Sequence, residues 1–125
     1  MIDHVSIPVA DLAAAGDFYN TVLAPFGMTR LAIRKRTIGY GKRYPEFWLN
    51  LREDHVRLDN PGLHVALRCR SPEIVDAFHA AALAAGGVSD GAPGTRQGEM
   101  TAYYGAFIRD LDGNRIEAVT FPATD

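Results

Sequence analysis

The chain has 125 residues, of which 47% are hydrophobic and 22% are charged, and its formal net charge is −2. This length fits one domain with a real hydrophobic core, and the composition excludes a largely disordered chain. No apolar run approaches the ~18 residues of a membrane-spanning helix, and the near-neutral charge gives no overall nucleic-acid footprint. The first residues lack the features of a signal peptide, and a single cysteine, Cys69, favours a reducing compartment. A cytoplasmic protein is expected.

Hydrophobic periodicity and turn residues predict two helices and six strands. In chain order these are a strand over 2–9, a helix from Asp11 to Leu23, strands over 28–38, 45–52 and 63–70, a helix from Ser71 to Gly86, and strands over 101–109 and 115–121. Asp11 is a suitable N-cap, and Ser71 is a second one because proline and glutamate follow it. The Gly-Tyr-Gly run at 39–41 predicts a flexible break, and the glycine-rich stretch 86–98 predicts a loop or a mobile lid.

An internal repeat appears when the sequence is shifted by 60 positions. The coinciding pairs are His4 and His64, Val5 and Val65, Phe18 and Phe78, Leu23 and Leu83, Ala24 and Ala84, and Gly27 and Gly87. The repeat predicts an α+β fold of two βαβββ modules, residues 1–58 and 61–125, joined at 60–62. Paired modules would form one domain with a curved, cup-like mixed sheet and the helices outside. The modules pair within one chain or by exchange between two, and a homodimer is expected.

Three residues are candidate metal ligands. His4 and His64 occupy the same place in the two modules, and Glu117 lies alone in the apolar run Ile-Glu-Ala-Val. Two histidines and one carboxylate form a facial triad that leaves a divalent ion open to water or substrate. In the alternative interpretation the histidines are hydrogen-bonded strand residues and Glu117 pairs with Arg109 or Arg115. His55 and His79 have no histidine partner in the repeat and are expected at the surface.

Three segments of the chain resemble the vicinal oxygen chelate superfamily, which includes glyoxalase I, bleomycin-resistance proteins and extradiol dioxygenases. They are residues 2–5, residues 17–19 with 27–28, and the closing Asp-Leu-Asp-Gly-Asn-Arg-Ile-Glu run at 110–117, in which Leu111 replaces the usual proline. The resemblance covers nearly the whole chain. It implies paired βαβββ modules and a divalent metal, Fe, Mn, Zn or Ni, held by His4, His64 and Glu117.

The resemblance departs from glyoxalase I at the fourth ligand. That enzyme has an acidic residue on the last strand of the first module, where matching the apolar frame places Asn50. Asparagine cannot act as a base, so lactoylglutathione lyase activity is not expected unless Glu46 takes the role. The three remaining ligands are similar to those of the dioxygenases and of the fosfomycin-resistance transferases, although residues 95–102 lack the lysine and serine cluster of the latter.

Other residues are candidates for the substrate pocket and for proton transfer. Ser6, Trp48, Asn50 and Phe107 are expected to line the cup, and Tyr103 or Tyr104 to act as acid or base, unless the tyrosines only pack in their strand. Six basic residues and no acidic one lie between Arg30 and Arg43. They form either a solvated hairpin face or a rim that attracts an anionic substrate.

The sequence therefore favours a metal-dependent lyase, isomerase or dioxygenase that acts on a small, oxygen-chelating anionic substrate. One alternative is a protein that sequesters a small molecule without catalysis, as bleomycin-resistance proteins do. Another is a scaffold of the same fold with a vacant site, which separated ligand side chains would favour. Neither nucleic acid nor a membrane is an expected partner.

Overall fold

A computed structural model describes residues 1–58, 61–98 and 100–122. The elements are β1 Val5–Val9, α1 Leu12–Val22, a short 3-10 helix Ala24–Phe26, β2 Thr29–Ile33, β3 Thr37–Gly41, β4 Phe47–Leu51, β5 His64–Arg68, α2 Pro72–Ala84, β6 Val88–Gln97, β7 Ala102–Arg109 and β8 Arg115–Thr120. Asn60, in the predicted joint between the modules, lies outside the described residues. Within the described part, no helix is long and apolar enough to span a membrane.

The strand order confirms the two-module prediction. The sheets run β1-β4-β3-β2 and β5-β8-β7-β6, so the same topology occurs twice. In both, the first strand of the module pairs in parallel with the last, and the other pairs are antiparallel. In the described part of one chain these are two separate four-stranded sheets, not one continuous sheet. The α+β class is therefore confirmed, and the described strands of one chain form two four-stranded sheets that share no strand pairing.

The two helices contact each other and join the modules through one hydrophobic core. Helix α1 packs on β3 and β4, and α2 packs on β6, β7 and β8. The repeat partners Phe18 and Phe78 are both fully buried, and the rings of Phe26 and Phe78 meet with centroids 5.7 Å apart. Each sheet consequently has one face toward its helix and one face away from it. We call the face directed away from the helix the outer face.

A polar contact fixes the first module against the β7–β8 turn of the second. Asp110 is 2% exposed, and its carboxylate accepts hydrogen bonds from the Tyr19 hydroxyl at 2.6 Å and from the Asn114 side chain at 2.9 Å. Asn114 also donates to the Pro8 carbonyl at the end of β1. Burial raises the pKa of the Asp110 carboxyl, and these hydrogen bonds oppose that change. The turn predicted at 110–114 thus also holds the modules together.

Two predicted connections are wrong because glycines form strand there. The Gly-Tyr-Gly run at 39–41 belongs to β3, and the turn lies between Ile33 and Thr37. A Cβ at Gly39 would come within 2.9 Å of the Trp48 ring, so close packing and not flexibility explains this glycine. The supposed loop or lid at 86–98 is mostly β6, whose pairing with β7 is irregular between Ser89 and Gly94. These bulges interrupt the period-2 pattern that normally reveals a strand.

The helix starts agree with the predicted N-caps, but the two caps differ. The Asp11 side chain accepts a hydrogen bond from the Ala14 amide at 3.0 Å, whereas the Ser71 side chain makes no capping bond. His79 was expected at the surface, and it is instead buried in α2 with Nε2 2.8 Å from the Ser89 hydroxyl oxygen. Its place in the repeat is that of Tyr19, the buried polar residue of α1.

Candidate metal centre

Two of the three predicted ligands meet on the outer face of the second module. His64 begins β5, and Glu117 lies on the adjacent strand β8, opposite Ala66. The distance from His64 Nε2 to Glu117 Oε1 is 3.4 Å. The imidazole is 57% exposed, whereas the carboxylate side chain is only 8% exposed. The pair therefore has a buried anionic side and an open side from which an ion or a ligand can approach.

The surroundings of Glu117 are unfavourable for its charge. Burial raises the pKa of this carboxyl, while the nearby charges of His64 and Arg96 act in the opposite direction. A buried carboxylate is costly unless it is paired with a cation or hydrogen-bonded. The predicted pairing with Arg109 or Arg115 is not what the structure holds, because both arginines lie beside Asp90, at 3.3 and 3.8 Å. His64 is thus the close partner of Glu117.

His4 lies away from this pair in a single chain. It precedes β1, its side chain is half exposed, and its Nδ1 lies 2.8 Å from the Asp3 carboxylate. Among the described residues, no group of three histidine, cysteine or acidic side chains is arranged to hold a metal ion. One chain thus brings together two of the three predicted ligands, His64 and Glu117, and the metal-binding role of all three stays a prediction.

The position equivalent to Glu117 in the first module holds Trp48. Glu117 pairs across the strands with Ala66, and Ser6, the repeat partner of Ala66, pairs in the same way with Trp48. Asn50 lies two residues further along β4, opposite Pro8. The apolar frame alone had assigned this position to Asn50, and the register of β1 with β4 corrects it. Because neither residue is acidic, the expectation of three ligands instead of four is unaffected.

The remaining predicted pocket residues divide between the two faces. Phe107 is the cross-strand partner of Glu117, and Tyr103 lies on the same outer face, with its ring against Phe121. Tyr104 has the opposite orientation, and its hydroxyl donates to the Asp76 carboxylate on α2 at 2.7 Å. Ser6, Trp48 and Asn50 lie on the outer face of the first module. Only Phe107 and Tyr103 therefore share a face with His64 and Glu117.

Two residues beside the pair were not predicted from the sequence. Arg96, on β6, places its guanidinium 5.4 Å from the centre of the Phe107 ring, and Asp90 forms the ion pairs with Arg109 and Arg115. Asp90 and Phe107 also line a cavity of about 240 Å³ next to His64. Arg96 and Asp90 both belong to the stretch 86–98, which the sequence predicted as a loop, so the pattern gave no reason to expect their side chains near the site.

Three of the six residues in the predicted basic segment make contacts within their own module. Arg30 donates to the Asn20 side chain at 3.2 Å, Arg36 lies 3.4 Å from Glu53, and the Arg34 guanidinium stacks over the Trp48 ring at 5.2 Å. Lys35, Lys42 and Arg43 are exposed. These contacts favour the solvated hairpin interpretation for the segment as a whole, while Arg34 is the member that reaches the outer face.

Comparison with known proteins agrees with this arrangement of modules. A family model described as the glyoxalase/bleomycin resistance protein/dioxygenase superfamily matches residues 1–118. The chain belongs to this superfamily. A solved glyoxalase/bleomycin resistance protein from Albidiferax ferrireducens is 33% identical, with a TM-score of 0.84, and the match covers 95% of this chain and 98% of that one. The comparison with curated proteins gave no match.

More distant superfamily structures share the fold. A glyoxalase/bleomycin resistance protein/dioxygenase family enzyme from Burkholderia phytofirmans is 19% identical, with a TM-score of 0.73 over 95% of this chain and 97% of that chain. The fosfomycin resistance protein FosX from Listeria monocytogenes is 17% identical, with a TM-score of 0.69 over 98% of this chain and 93% of its own. At these identities the likeness establishes the fold alone.

Proposed function

We propose that this superfamily member is a metal-dependent enzyme acting on a small anionic substrate that binds the metal through two oxygens. The observation that carries the proposal is the His64–Glu117 pair, a buried carboxylate 3.4 Å from an exposed imidazole. Neutral imidazole and ionised carboxylate suit a divalent ion and leave it with net positive charge. When bound, that ion would polarise a substrate oxygen as a Lewis acid.

The third ligand in this proposal is His4 of the partner subunit. Within one chain His4 does not join the pair, and the His64 imidazole stays 57% exposed. In a homodimer that exchanges modules, the first module of one chain would lie over the second module of the other. Each dimer would then have two complete sites, each with ligands from both chains.

Among the chain's own groups, Tyr103 is the proposed proton donor or acceptor. It shares the outer face with Glu117, whereas the Tyr104 hydroxyl is bonded to Asp76 on the helix side. Lyase, isomerase and dioxygenase reactions are compatible with this set. Lactoylglutathione lyase is not proposed, because Trp48 and Asn50 supply no carboxylate on β4.

Metal analysis of the purified protein tests the proposal. We expect a stoichiometric divalent ion that is lost in Glu117→Gln and in His64→Ala and retained in Asp90→Asn. The last variant is a matched control, because Asp90 is another carboxylate of the second module and lines a cavity together with His64. Absence of stoichiometric metal in the wild type, or equal metal content in all variants, contradicts a metal-dependent enzyme.

Mixing two inactive variants tests whether the site is shared between chains. His4→Ala and Glu117→Gln each remove one ligand from every site of their own homodimer. If the ligands come from two chains, the mixed dimer regains one intact site, and random exchange restores about a quarter of the wild-type metal content. If all ligands come from one chain, mixing restores nothing, and the intersubunit site is wrong.

A second candidate is a protein that sequesters a small molecule without catalysis. It is favoured by the separation of His4 from the pair and by the aromatic rings of Trp48 and Phe107 on the outer faces. Tight ligand binding that a chelator does not change, without turnover, distinguishes this candidate from the enzyme. The same chelator treatment abolishes binding if the metal holds the substrate.

A further inference from the structure

Arg96 is held in a fixed position beside the His64–Glu117 pair. Its guanidinium lies over the Phe107 ring at 5.4 Å, and its Nη2 donates to the Ala92 carbonyl at 2.6 Å. Phe107 is the direct cross-strand partner of Glu117. Stacking on Phe107 and the hydrogen bond to the Ala92 carbonyl restrict the Arg96 side chain. The guanidinium is therefore oriented before any ligand binds.

The Arg96 guanidinium acts electrostatically on Glu117 but forms no ion pair with it. The guanidinium is one of the two groups that lower the pKa of the Glu117 carboxyl against the effect of burial. The arginines within 4.0 Å of a described carboxylate are Arg36, Arg109 and Arg115, and Arg96 is not among them. An oriented cation without a close described anion therefore stands next to the proposed metal position.

The irregular part of β6 makes room for this arrangement. Strand pairing with β7 shifts around Gly91, and a Cβ there would lie 3.0 Å from the Phe107 ring and 3.1 Å from Arg96 Nη2. A Cβ at Gly94 would lie 3.5 Å from Arg96 Nη1, an ordinary contact. Gly91 thus allows the guanidinium to lie against the ring, while Gly94 does not limit it.

We propose that Arg96 binds a carboxylate of the substrate, and that the substrate is a small hydroxy or oxo acid with a second carboxylate a short distance from its two chelating oxygens. This inference rests on the proposed function, because it assigns the chelating oxygens to the metal at His64 and Glu117. A guanidinium presents paired N–H donors whose geometry matches a carboxylate. Arg96 is thereby a specificity-determining residue, in place of the basic rim that was one of the two interpretations of residues 30–43.

Two acids of the same length provide the test. Malate and 2-hydroxybutyrate share the vicinal hydroxyl and carboxylate, and malate has a second carboxylate where 2-hydroxybutyrate has a methyl group. Their Kd values for the Mn²⁺-loaded protein are measured by calorimetry in the wild type, Arg96→Met and Arg96→Lys. We expect Arg96→Met to weaken malate binding by about tenfold or more, the scale of one charge-assisted hydrogen bond, and 2-hydroxybutyrate binding by less than about twofold. Arg96→Lys should retain part of the preference.

A pair of glycine variants tests the positioning of Arg96. Gly91→Ala should reduce the preference for malate, because the new methyl group displaces the guanidinium from Phe107. Gly94→Ala should leave the preference unchanged. Thermal unfolding of both variants shows whether the protein is folded, and Gly94→Ala serves as the matched control for a substitution in the same strand.

The outcomes separate this inference from the proposed function. If Mn²⁺ binds and the preference for malate survives in Arg96→Met, the anion-binding role is wrong and the metal site stands. If Arg96 only balances Glu117, Arg96→Met tightens Mn²⁺ binding without changing the preference, which also overturns the inference. If Mn²⁺ does not bind, a malate-dependent rise in the Tm of the wild type but not of Arg96→Met supports Arg96, and the absence of such a rise overturns it.

Discussion

The outer faces of the two modules place different residues at equivalent strand positions. In the first module, Gly39 on β3 stands beside Trp48 on β4, and in the second, Phe107 on β7 stands beside Glu117 on β8. At this cross-strand position each face has an aromatic ring with an arginine stacked on it, Arg34 over Trp48 and Arg96 over Phe107. The aromatic ring is on the last strand in one module and on its neighbour in the other.

This difference in the strand that carries the aromatic ring explains why only the second module supplies a carboxylate. In the second module the ring lies on β7, so the last strand has room for Glu117 beside His64. In the first module the large ring occupies that place, and the neighbouring residue is glycine because a Cβ would meet the ring. The two modules therefore have the same topology and contribute to one core, while their polar contacts and the residues on their outer faces differ.

The largest expected effect tests whether the two modules contribute equally to their shared core. Phe18→Ala and Phe78→Ala each remove a fully buried ring at the same place in the repeat. Each should lower the free energy of unfolding by about 3–5 kcal/mol, with one transition in urea, because the two modules share one core. Separate transitions, or a loss confined to one variant, would show that the modules are independent units.

The next effect concerns Tyr19, the buried polar residue of α1 at the position that His79 occupies in α2. Tyr19→Phe removes the 2.6 Å bond to the Asp110 carboxylate and should cost about 1.5–3 kcal/mol. Burial and the charge of Asp110 raise the pKa of Tyr19 well above 10.0, so its contribution is complete below that pH and is lost as the pH rises above it. The difference in the free energy of unfolding between wild type and Tyr19→Phe should therefore be constant up to about pH 10 and shrink at higher pH. A difference that does not shrink at the higher pH contradicts this titration.

Gly39→Ala tests the packing of the first outer face. The added methyl group would lie 2.9 Å from the Trp48 ring and 2.8 Å from Pro45, so the variant should be less stable by about 1–3 kcal/mol. Adding Trp48→Leu should recover part of that loss, since the smaller side chain makes room. If the double variant is no more stable than expected from adding the single effects, the ring is not what restricts position 39.

The smallest effect compares the two helix caps. Asp11→Ala should cost about 1 kcal/mol, because Asp11 accepts a hydrogen bond from the Ala14 amide. Ser71→Ala should change stability by only a few tenths of a kcal/mol, because the Ser71 side chain makes no capping bond. Chemical denaturation of the two variants gives this comparison directly, and equal losses would contradict it.

The sequence by itself determined the two-module architecture and most of the elements. The repeat is visible by comparing the sequence with itself, because His4 and Phe18 recur at positions 64 and 78. The turn at 110–114 is visible from its local residue types. Glu117 was recognisable because an isolated carboxylate in an apolar strand needs a partner. Its proximity to His64 followed from the parallel pairing of β5 with β8.

Only the tertiary structure decided the register of β4, the strand at 88–97 and the place of Arg96. Register depends on which residues pair between β1 and β4, and the alternating pattern does not distinguish Trp48 from Asn50 because both lie on the same face. The bulges around Gly91 removed the periodic signal of β6, so the side chain it positions beside Glu117 could not be anticipated. Contacts between distant strands, which leave no local pattern, determine the composition of this site.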